Sequence, residues 1–378
     1  MKVAIVCDWL TNVGGAEKVL LEMHRLYPKA PIYTSKYSAR GIDWFADADV
    51  RTGWLNVFPA CMRRLLAPLR QRWFSHLDLS EYDLIISVTG AEAKGVKSGK
   101  RLHEEGKRSK NPKGVHISYC HVPTQYYWQM YDDYVKEPGF GILNPVVRFF
   151  FKLMVGPLRR GDYKAAQAPD YYVTISEYAK GLIAKYYDRE AVVIHPPVDT
   201  ETFRNRSSVS RAEDYYIITS RQVNWKRIDL AIQACMKKGR KLLVVGEGPE
   251  HNNLVKLSNN SEWVEFLPLQ GKSELSELLM GAKGYLFPSL EPFGIAPVEA
   301  LSAGCPVIAF GEGGALDYIE EGVNGVLFPR QTVKSLSEAI ERFEKMKFEP
   351  AKVAKTAGKF SAERFDTEVR KFVDEKTA

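Results

Sequence analysis

Short runs of β-branched and aromatic residues alternate along this chain with stretches whose apolar positions recur every three or four residues. That alternation is the mark of parallel βαβ units, with helices covering both faces of a buried sheet. In the first half the pattern predicts strands at Lys2–Cys7, Asp83–Val88, Val115–Tyr119, Tyr171–Ile175 and Val192–His195, with helices after Gly15 and after Ser176. The stretch from Trp44 to Leu79 fits neither period. Pro196-Pro197 and the polar residues Asn205 to Asp214 then read as a linker, since proline rigidity followed by polar sequence suits a domain boundary. Beyond it the pattern predicts strands at Tyr215–Ser220, Lys241–Gly246, Trp263–Leu267, Gly284–Pro288, Pro306–Phe310 and Gly325–Phe328. The expected architecture is α/β and Rossmann-like twice over.

Composition narrows this picture only slightly. With 378 residues, 45% of them hydrophobic and 26% charged, the chain can bury two cores, so disorder is not the default. The net charge of +7 suits nucleic acid, anionic lipid or a phosphorylated substrate. Nucleic acid is not an expected partner, because the basic residues are dispersed and form no known nucleic-acid module. Cys7, Cys61, Cys120, Cys235 and Cys305 are scattered, without the close pairs of a zinc site or disulfide scaffold, and read as reduced thiols of the cytosol. The apolar run Val3 to Cys7 ends at Asp8, too soon for a signal peptide, and Pro145 to Leu158 is interrupted by Arg148 and Lys152, so no spanning helix is expected.

Several constellations can carry chemistry. Asn12-Val13-Gly14-Gly15-Ala16-Glu17 follows the first strand and opens a helix; Gly14 and Gly15 serve either as a plain turn or as a cradle whose amides approach a phosphate. The turn at Gly246-Glu247-Gly248-Pro249 is open to the same two readings. In Ser220 to Arg227, Arg221 offers a planar fork of donors and Lys226 a mobile charge, fit for a diphosphate or for a solvated basic loop. Glu291-Pro292-Phe293-Gly294-Ile295-Ala296-Pro297-Val298-Glu299 is the most informative. The amides of Phe293, Gly294 and Ile295 lead into a helix N-terminus that can face an anion, while Glu291 and Glu299 can accept from hydroxyls on two parts of one ligand. The alternative is that Glu299 only complements the helix dipole. Tyr126, Tyr127 and Trp128 suit either an acceptor platform or core packing. Asp47 and Asp49 spell an Asp-x-Asp metal signature, but outside the other motifs, and two cations already supply the charge a metal would bring.

With these residues in place, the sequence resembles the family-4 retaining glycosyltransferases of GT-B fold. Their paired glutamates match Glu291 and Glu299, and their arginine and lysine match Arg221 and Lys226. The likeness extends to Gly14-Gly15, Cys120-His121-Val122-Pro123, Thr174-Ile175-Ser176-Glu177, Pro196-Pro197-Val198-Asp199 and Gly311-Glu312-Gly313-Gly314. It implies two Rossmann-like domains facing each other across a donor-binding cleft. The expected domains are 1–197 with a returning 358–378, and 198–357; the aromatic stripe Phe360, Phe365 and Phe372 needs a surface to cover it. The resemblance further implies a metal-independent hexosyltransferase with a sugar nucleotide as co-substrate and no bound cofactor. His121 and Glu291 would attend the sugar, Arg221 and Lys226 the leaving diphosphate, and Glu299 the ribose. Gly14, Gly15, Gly246, Leu267, Pro268, Phe293, Gly294 and Ile295 would line the donor, and Tyr126, Tyr127 and Trp128 the acceptor. Phe266-Leu267-Pro268 departs from the family, which has Gly after Leu, and leaves the nucleobase open.

Within the family the likeness is greatest to bacterial mannosyltransferases of surface-polysaccharide assembly, through Asp8-Trp9-Leu10 with Gly14 to Glu17 and through Ala309 to Ala315. GDP-mannose is the leading donor, and a lipid-linked glycan the expected acceptor. UDP-sugar transfer, sugar-nucleotide epimerisation and non-catalytic sugar binding are the alternatives. Two basic and aromatic segments predict peripheral attachment to the anionic inner face of the cytoplasmic membrane. They are Arg63, Arg64, Arg70 and Arg72 beside Trp73 and Phe74, and Arg148, Lys152 and Arg159 among Phe149, Phe150, Phe151, Leu153 and Met154.

Overall fold

The computed structural model describes residues 1–59, 62, 65–136, 141, 144–203 and 214–378. It divides into two compact units, residues 1–195 with 366–378 and residues 196–365. Each is an α/β unit built on one parallel sheet, as the alternating pattern predicts.

Among the described residues, the first unit has seven strands: β1 (Val3–Cys7), β2 (Ile32–Thr34), β3 (Val50–Thr52), β4 (Leu84–Thr89), β5 (Val115–Cys120), β6 (Tyr171–Thr174) and β7 (Val192–Val193). Their order is β3-β2-β1-β4-β5-β6-β7, every pairing is parallel, and Val3 of β1 stands opposite Leu84 of β4. β4 and β5 are buried along their whole length, which is why they read as unbroken apolar runs. Helix Gly15–Leu26 closes the first crossover and buries Val19, Leu20, Met23 and Leu26, one face at helical spacing. Two strands escaped the sequence pattern: β2 and β3 have three residues each, too few to show a period.

The second unit has β8 (Tyr215–Thr219), β9 (Lys241–Val245), β10 (Val264–Leu267), β11 (Gly284–Phe287), β12 (Val307–Phe310) and β13 (Gly325–Phe328), in the order β10-β9-β8-β11-β12-β13. Its core joins Ile218, Val244, Leu286, Ile308 and Val326 from the sheet to Ala231, Cys235, Leu336 and Ile340 from flanking helices. In both sheets the order reverses beside the first strand, between β1 and β4 and between β8 and β11. Side chains leaving the carboxyl ends of such neighbouring strands diverge around a crevice, the place where α/β sheets bind ligands.

The C-terminal stretch does not return as one piece. Phe360 packs against Phe293 and Tyr318 in the second unit, ring centroids 5.6 and 6.1 Å away, and the division falls at residue 365. Phe372 sets its edge against Tyr171 in the first unit at 6.4 Å, with Lys376 above the same Tyr171 ring. Residues 358–365 therefore group with the second unit, because the Phe293 and Tyr318 rings already offer Phe360 an apolar seat.

Candidate functional site

At the switch point of the second unit the segments after β8 and β11 bring together Lys226 and Glu291, two of the charged residues singled out in the sequence. Lys226 ends a short 3-10 turn, Asn224–Lys226, and its Nζ lies 2.6 Å from Glu291 Oε1, with both side chains about four-fifths buried. Ser289 Oγ donates to the same Glu291 oxygen at 2.7 Å. Arg221, by contrast, is exposed, and among the described residues no carboxylate pairs with its guanidinium. Glu299 is 8% exposed in helix Ile295–Ser302. The charges of both Glu291 and Glu299 bear on the Tyr285 hydroxyl, which burial already makes harder to ionise and which donates to Thr219 O at 3.0 Å. Tyr285 thus ties β11 to the end of β8 within range of the two carboxylate charges.

The glycines around this site are there for close approach. A side chain at Gly314 would put its Cβ 2.4 Å from Phe293 Cα, and one at Gly313, where φ is +78°, would fall 2.5 Å from Glu291 O. The Gly314 N–H donates to Glu291 O at 2.8 Å. The turn Gly311 to Gly314 is therefore a backstop for the glutamate loop. Phe293 is buried, and Gly294 (φ +94°) turns the chain so that Ile295 begins the helix with its first amides unclaimed by the helix itself. After β9, a Cβ at Gly246 would meet Ser220 O at 2.4 Å. Leu267 and Pro268 end and follow β10 at the same carboxyl edge of the sheet.

One residue here was not singled out in the sequence. Gln222 is fully buried; its N–H donates to Glu247 O (2.9 Å), its Nε2 to Gly246 O (2.6 Å), and its Oε1 meets His251 Nδ1 (2.9 Å). It clamps the β9 turn to the Arg221 segment. A glutamine between an arginine and a valine carries no periodic signal; the adjoining turn glycines were the available clue. Arg227, next to Lys226, has φ +53°, a left-handed conformation costly for a residue with a Cβ.

In the first unit, Gly14 precedes the helix and Gly15 opens it. The helix's own Glu17 occupies this end: a Cβ at Gly14 would lie 2.8 Å from Glu17 Oε2, so a carboxylate already complements the helix N-terminus. His121 follows β5; its N–H donates to Thr89 O at 2.8 Å, and its Nε2 is shielded from solvent with no hydrogen-bond partner. Burial lowers the imidazole pKa to about 4, so the ring is neutral near pH 7. Tyr126, Tyr127 and Trp128 face inward commitments. Tyr126 donates to Glu92 Oε1 at 2.5 Å, Trp128 Nε1 to Asp162 at 2.7 Å, and Tyr127 is 2% exposed. Asp162 also holds the Lys94 ammonium at 2.6 Å and accepts from Tyr187 at 2.9 Å.

The switch point of this unit is organised by Asp8. Its carboxylate accepts from Thr89 Oγ1 (2.9 Å) and from the N–H groups of Gly90 (2.9 Å), Ala91 (3.1 Å) and Ala93 (2.8 Å). Burial and the nearby Glu92 charge push its pKa up, against those amides. The loop so held presents Glu92 to Arg70 at 3.0 Å.

The basic and aromatic segments fare differently from expectation. Arg70 is 3% exposed and Phe74 is fully buried, because Arg70 neutralises Glu92 and Phe74 belongs to the first unit's core. Arg63 and Arg64 lie outside the described residues. On helix Asn144–Ala165, Arg148 is drawn back to Val135 O and Lys136 O, and Arg159 to Tyr127 O, whereas Phe149, Phe150, Leu153 and Met154 are exposed. No described helix is long and apolar enough to cross a membrane. Cys7, Cys120, Cys235 and Cys305 are buried and form no disulfide.

Known proteins agree with the geometry of the second unit. Residues 199–360 match the family model described as glycosyl transferases group 1. The likeness to the group 1 glycosyl transferases thus lies in the second unit. Human alpha-1,3/1,6-mannosyltransferase ALG2 is 33% identical over 156 residues, 40% of this chain and 37% of that protein. The GtfA subunit of the UDP-N-acetylglucosamine--peptide N-acetylglucosaminyltransferase of Streptococcus pneumoniae is 28% identical over 181 residues, 44% of this chain and 36% of its own. The chain thus spans little more than a third of either relative. Over whole chains, Anabaena Alr3699/HepE in complex with UDP superposes with a TM-score of 0.69 at 19% identity, covering 99% of this chain and 100% of that one. At that identity the likeness is one of fold, the two-domain GT-B arrangement of Rossmann-like units.

Proposed function

We propose that this chain is a retaining glycosyltransferase that moves a hexose from a nucleoside diphosphate onto a lipid-linked or polysaccharide acceptor. The observation that carries it is the Lys226–Glu291 ion pair at the switch point of the second unit, with Glu299 close enough for its charge to act on the same Tyr285, in a stretch that matches the group 1 glycosyl transferases. Bond cleavage places negative charge on the departing diphosphate, and cations fixed at that point lower the barrier electrostatically. Lys226 and Arg221 supply that charge without calling on a metal. Glu291 and Glu299 accept from hydroxyls of the sugar and ribose, and a neutral His121 serves as a hydrogen-bond partner rather than as a proton source.

Mannose from GDP-mannose is the donor we favour, supported by the mannosyltransferase among the relatives. A UDP-sugar is the second reading, supported by UDP in the Anabaena structure. Peripheral membrane attachment, on the inner face of the cytoplasmic membrane, belongs to the same proposal. Its support is the exposed Phe149, Phe150, Leu153 and Met154, which share one helix face; apolar insertion is then the main contribution and charge the lesser one. Incubation of the enzyme with sugar-labelled donors and a membrane lipid extract tests the reaction. Label in an extractable glycolipid is expected; label only in an altered sugar nucleotide identifies an epimerase, and label that stays in the donor contradicts transfer.

A further inference from the structure

Arg227 joins two residues that leave the chain in different directions. Lys226 before it reaches Glu291 at 2.6 Å, and Ile228 after it is 2% exposed, in the core of the second unit. The link between them is left-handed, with φ +53° and ψ 36° at Arg227. Val223 is buried as well, so the segment is anchored on both sides of Lys226. Between the anchors the Lys226 N–H donates to Val223 O (3.0 Å), the Arg227 N–H to Asn224 O (3.2 Å) and the Leu230 N–H to Arg227 O (3.1 Å). The left-handed step sends Ile228 into the core while Lys226 turns to Glu291.

That backbone suits glycine, because a Cβ crowds the neighbouring carbonyl oxygen in the left-handed region. Among the described residues, the other non-glycine positions with positive φ are Asp188, Asn259 and Asn260, types that tolerate it. Arg227 is the exception, and its side chain offsets the strain. Nε and Nη2 donate to the two carboxylate oxygens of Asp229 at 3.1 Å each, in the first turn of helix Ile228–Lys238. A planar fork on a carboxylate two residues ahead spans the left-handed step and fixes it.

We propose that Arg227 is a positioning residue, whose fork on Asp229 locks the left-handed turn and thereby aims Lys226 at the diphosphate. The identity of the anion rests on the transferase reading; the aiming of Lys226 does not.

The test measures GDP and UDP affinity by calorimetry, and donor turnover, on the full chain. Wild type is compared with Arg227→Gly and Asp229→Asn, each made alone and together with Lys226→Ala. Arg227→Gly should melt within about 2 °C of the wild type, since relief of strain offsets the greater freedom of its unfolded chain. Its affinity for the preferred nucleoside diphosphate should nevertheless fall about three- to five-fold, the upper range for a partly exposed ion pair. Asp229→Asn should give the same loss, and neither substitution should weaken binding further when combined with Lys226→Ala. Turnover should fall at least as far. Affinity unchanged by Arg227→Gly, or a loss that persists alongside Lys226→Ala, overturns the proposal. So does a loss that Asp229→Asn does not share, which would put Arg227 itself on the ligand. The expected pattern of affinities in a chain that transfers no sugar would instead leave the positioning of Lys226 standing and remove the transferase reading.

Discussion

Lys226 Nζ and Glu291 Oε1 stand 2.6 Å apart, so the cation assigned to the diphosphate touches the carboxylate assigned to the sugar. Glu291 therefore competes with a diphosphate for the charge of Lys226. Lys226→Ala is expected to lower turnover by about 100-fold or more with the fold intact, since it removes charge stabilisation from the transition state. Glu291→Gln frees the lysine: a partly exposed ion pair contributes about 0.2–1 kcal/mol, so nucleoside diphosphate should bind up to about five-fold tighter. Turnover should fall in the same variant. Titration calorimetry with GDP and UDP reads the affinity, and weaker binding by Glu291→Gln would show that Glu291 assists the phosphate rather than competing for it.

Glu299 is buried beyond the first turn of its helix, and its proposed partner is the ribose. Glu299→Ala should therefore weaken the sugar nucleotide and the free nucleoside diphosphate by the same factor, about ten-fold for a hydrogen bond to a charged group. A loss confined to the intact sugar nucleotide would move Glu299 to the hexose.

Much of this was legible in the sequence, for physical reasons that particular residues make plain. Leu84–Thr89 and Val115–Cys120 are buried on both faces, so selection for apolar side chains writes them as continuous runs. The paired glutamates and the cations at 221 and 226 could be read because each follows a readable strand. What could not be read was the direction of long side chains. Arg70, Arg148 and Arg159 look in sequence like a basic surface, yet they fold back onto Glu92, Val135, Lys136 and Tyr127. Gln222 escaped notice because its whole function is to satisfy backbone groups of two loops distant in sequence.

Asp8 satisfies one hydroxyl and three backbone N–H groups of the segment 89–93. Asp8→Asn replaces acceptor lone pairs with an N–H₂ group aimed at donors, and should cost about 2–4 kcal/mol of stability. Chemical denaturation measures this; a loss under about 0.5 kcal/mol would mean that the loop holds itself.

His116 and His121 are both held neutral by burial, with pKa values lowered from 6.5 to about 3 and about 4. The unfolded chain takes up protons at these rings near pH 6.5 while the folded chain does not. Stability should therefore fall as pH drops from about 6.5 toward 4, and further toward 3 for His116. Ring NMR at pH 5 should show both imidazoles uncharged; a His121 ring that titrates near 6.5 would return it to the role of a general acid.

On our proposal the second unit holds a sugar nucleotide through Arg221 and Lys226. Calorimetric titration of the full chain with GDP-mannose, UDP-glucose and a dTDP-sugar, repeated on an Arg221→Ala/Lys226→Ala variant, tests it most directly. One base should be preferred in the wild-type chain, GDP on our reading, and the double substitution should abolish measurable binding. Binding of none of the three donors, or affinity unchanged by the loss of both cations, would contradict the account.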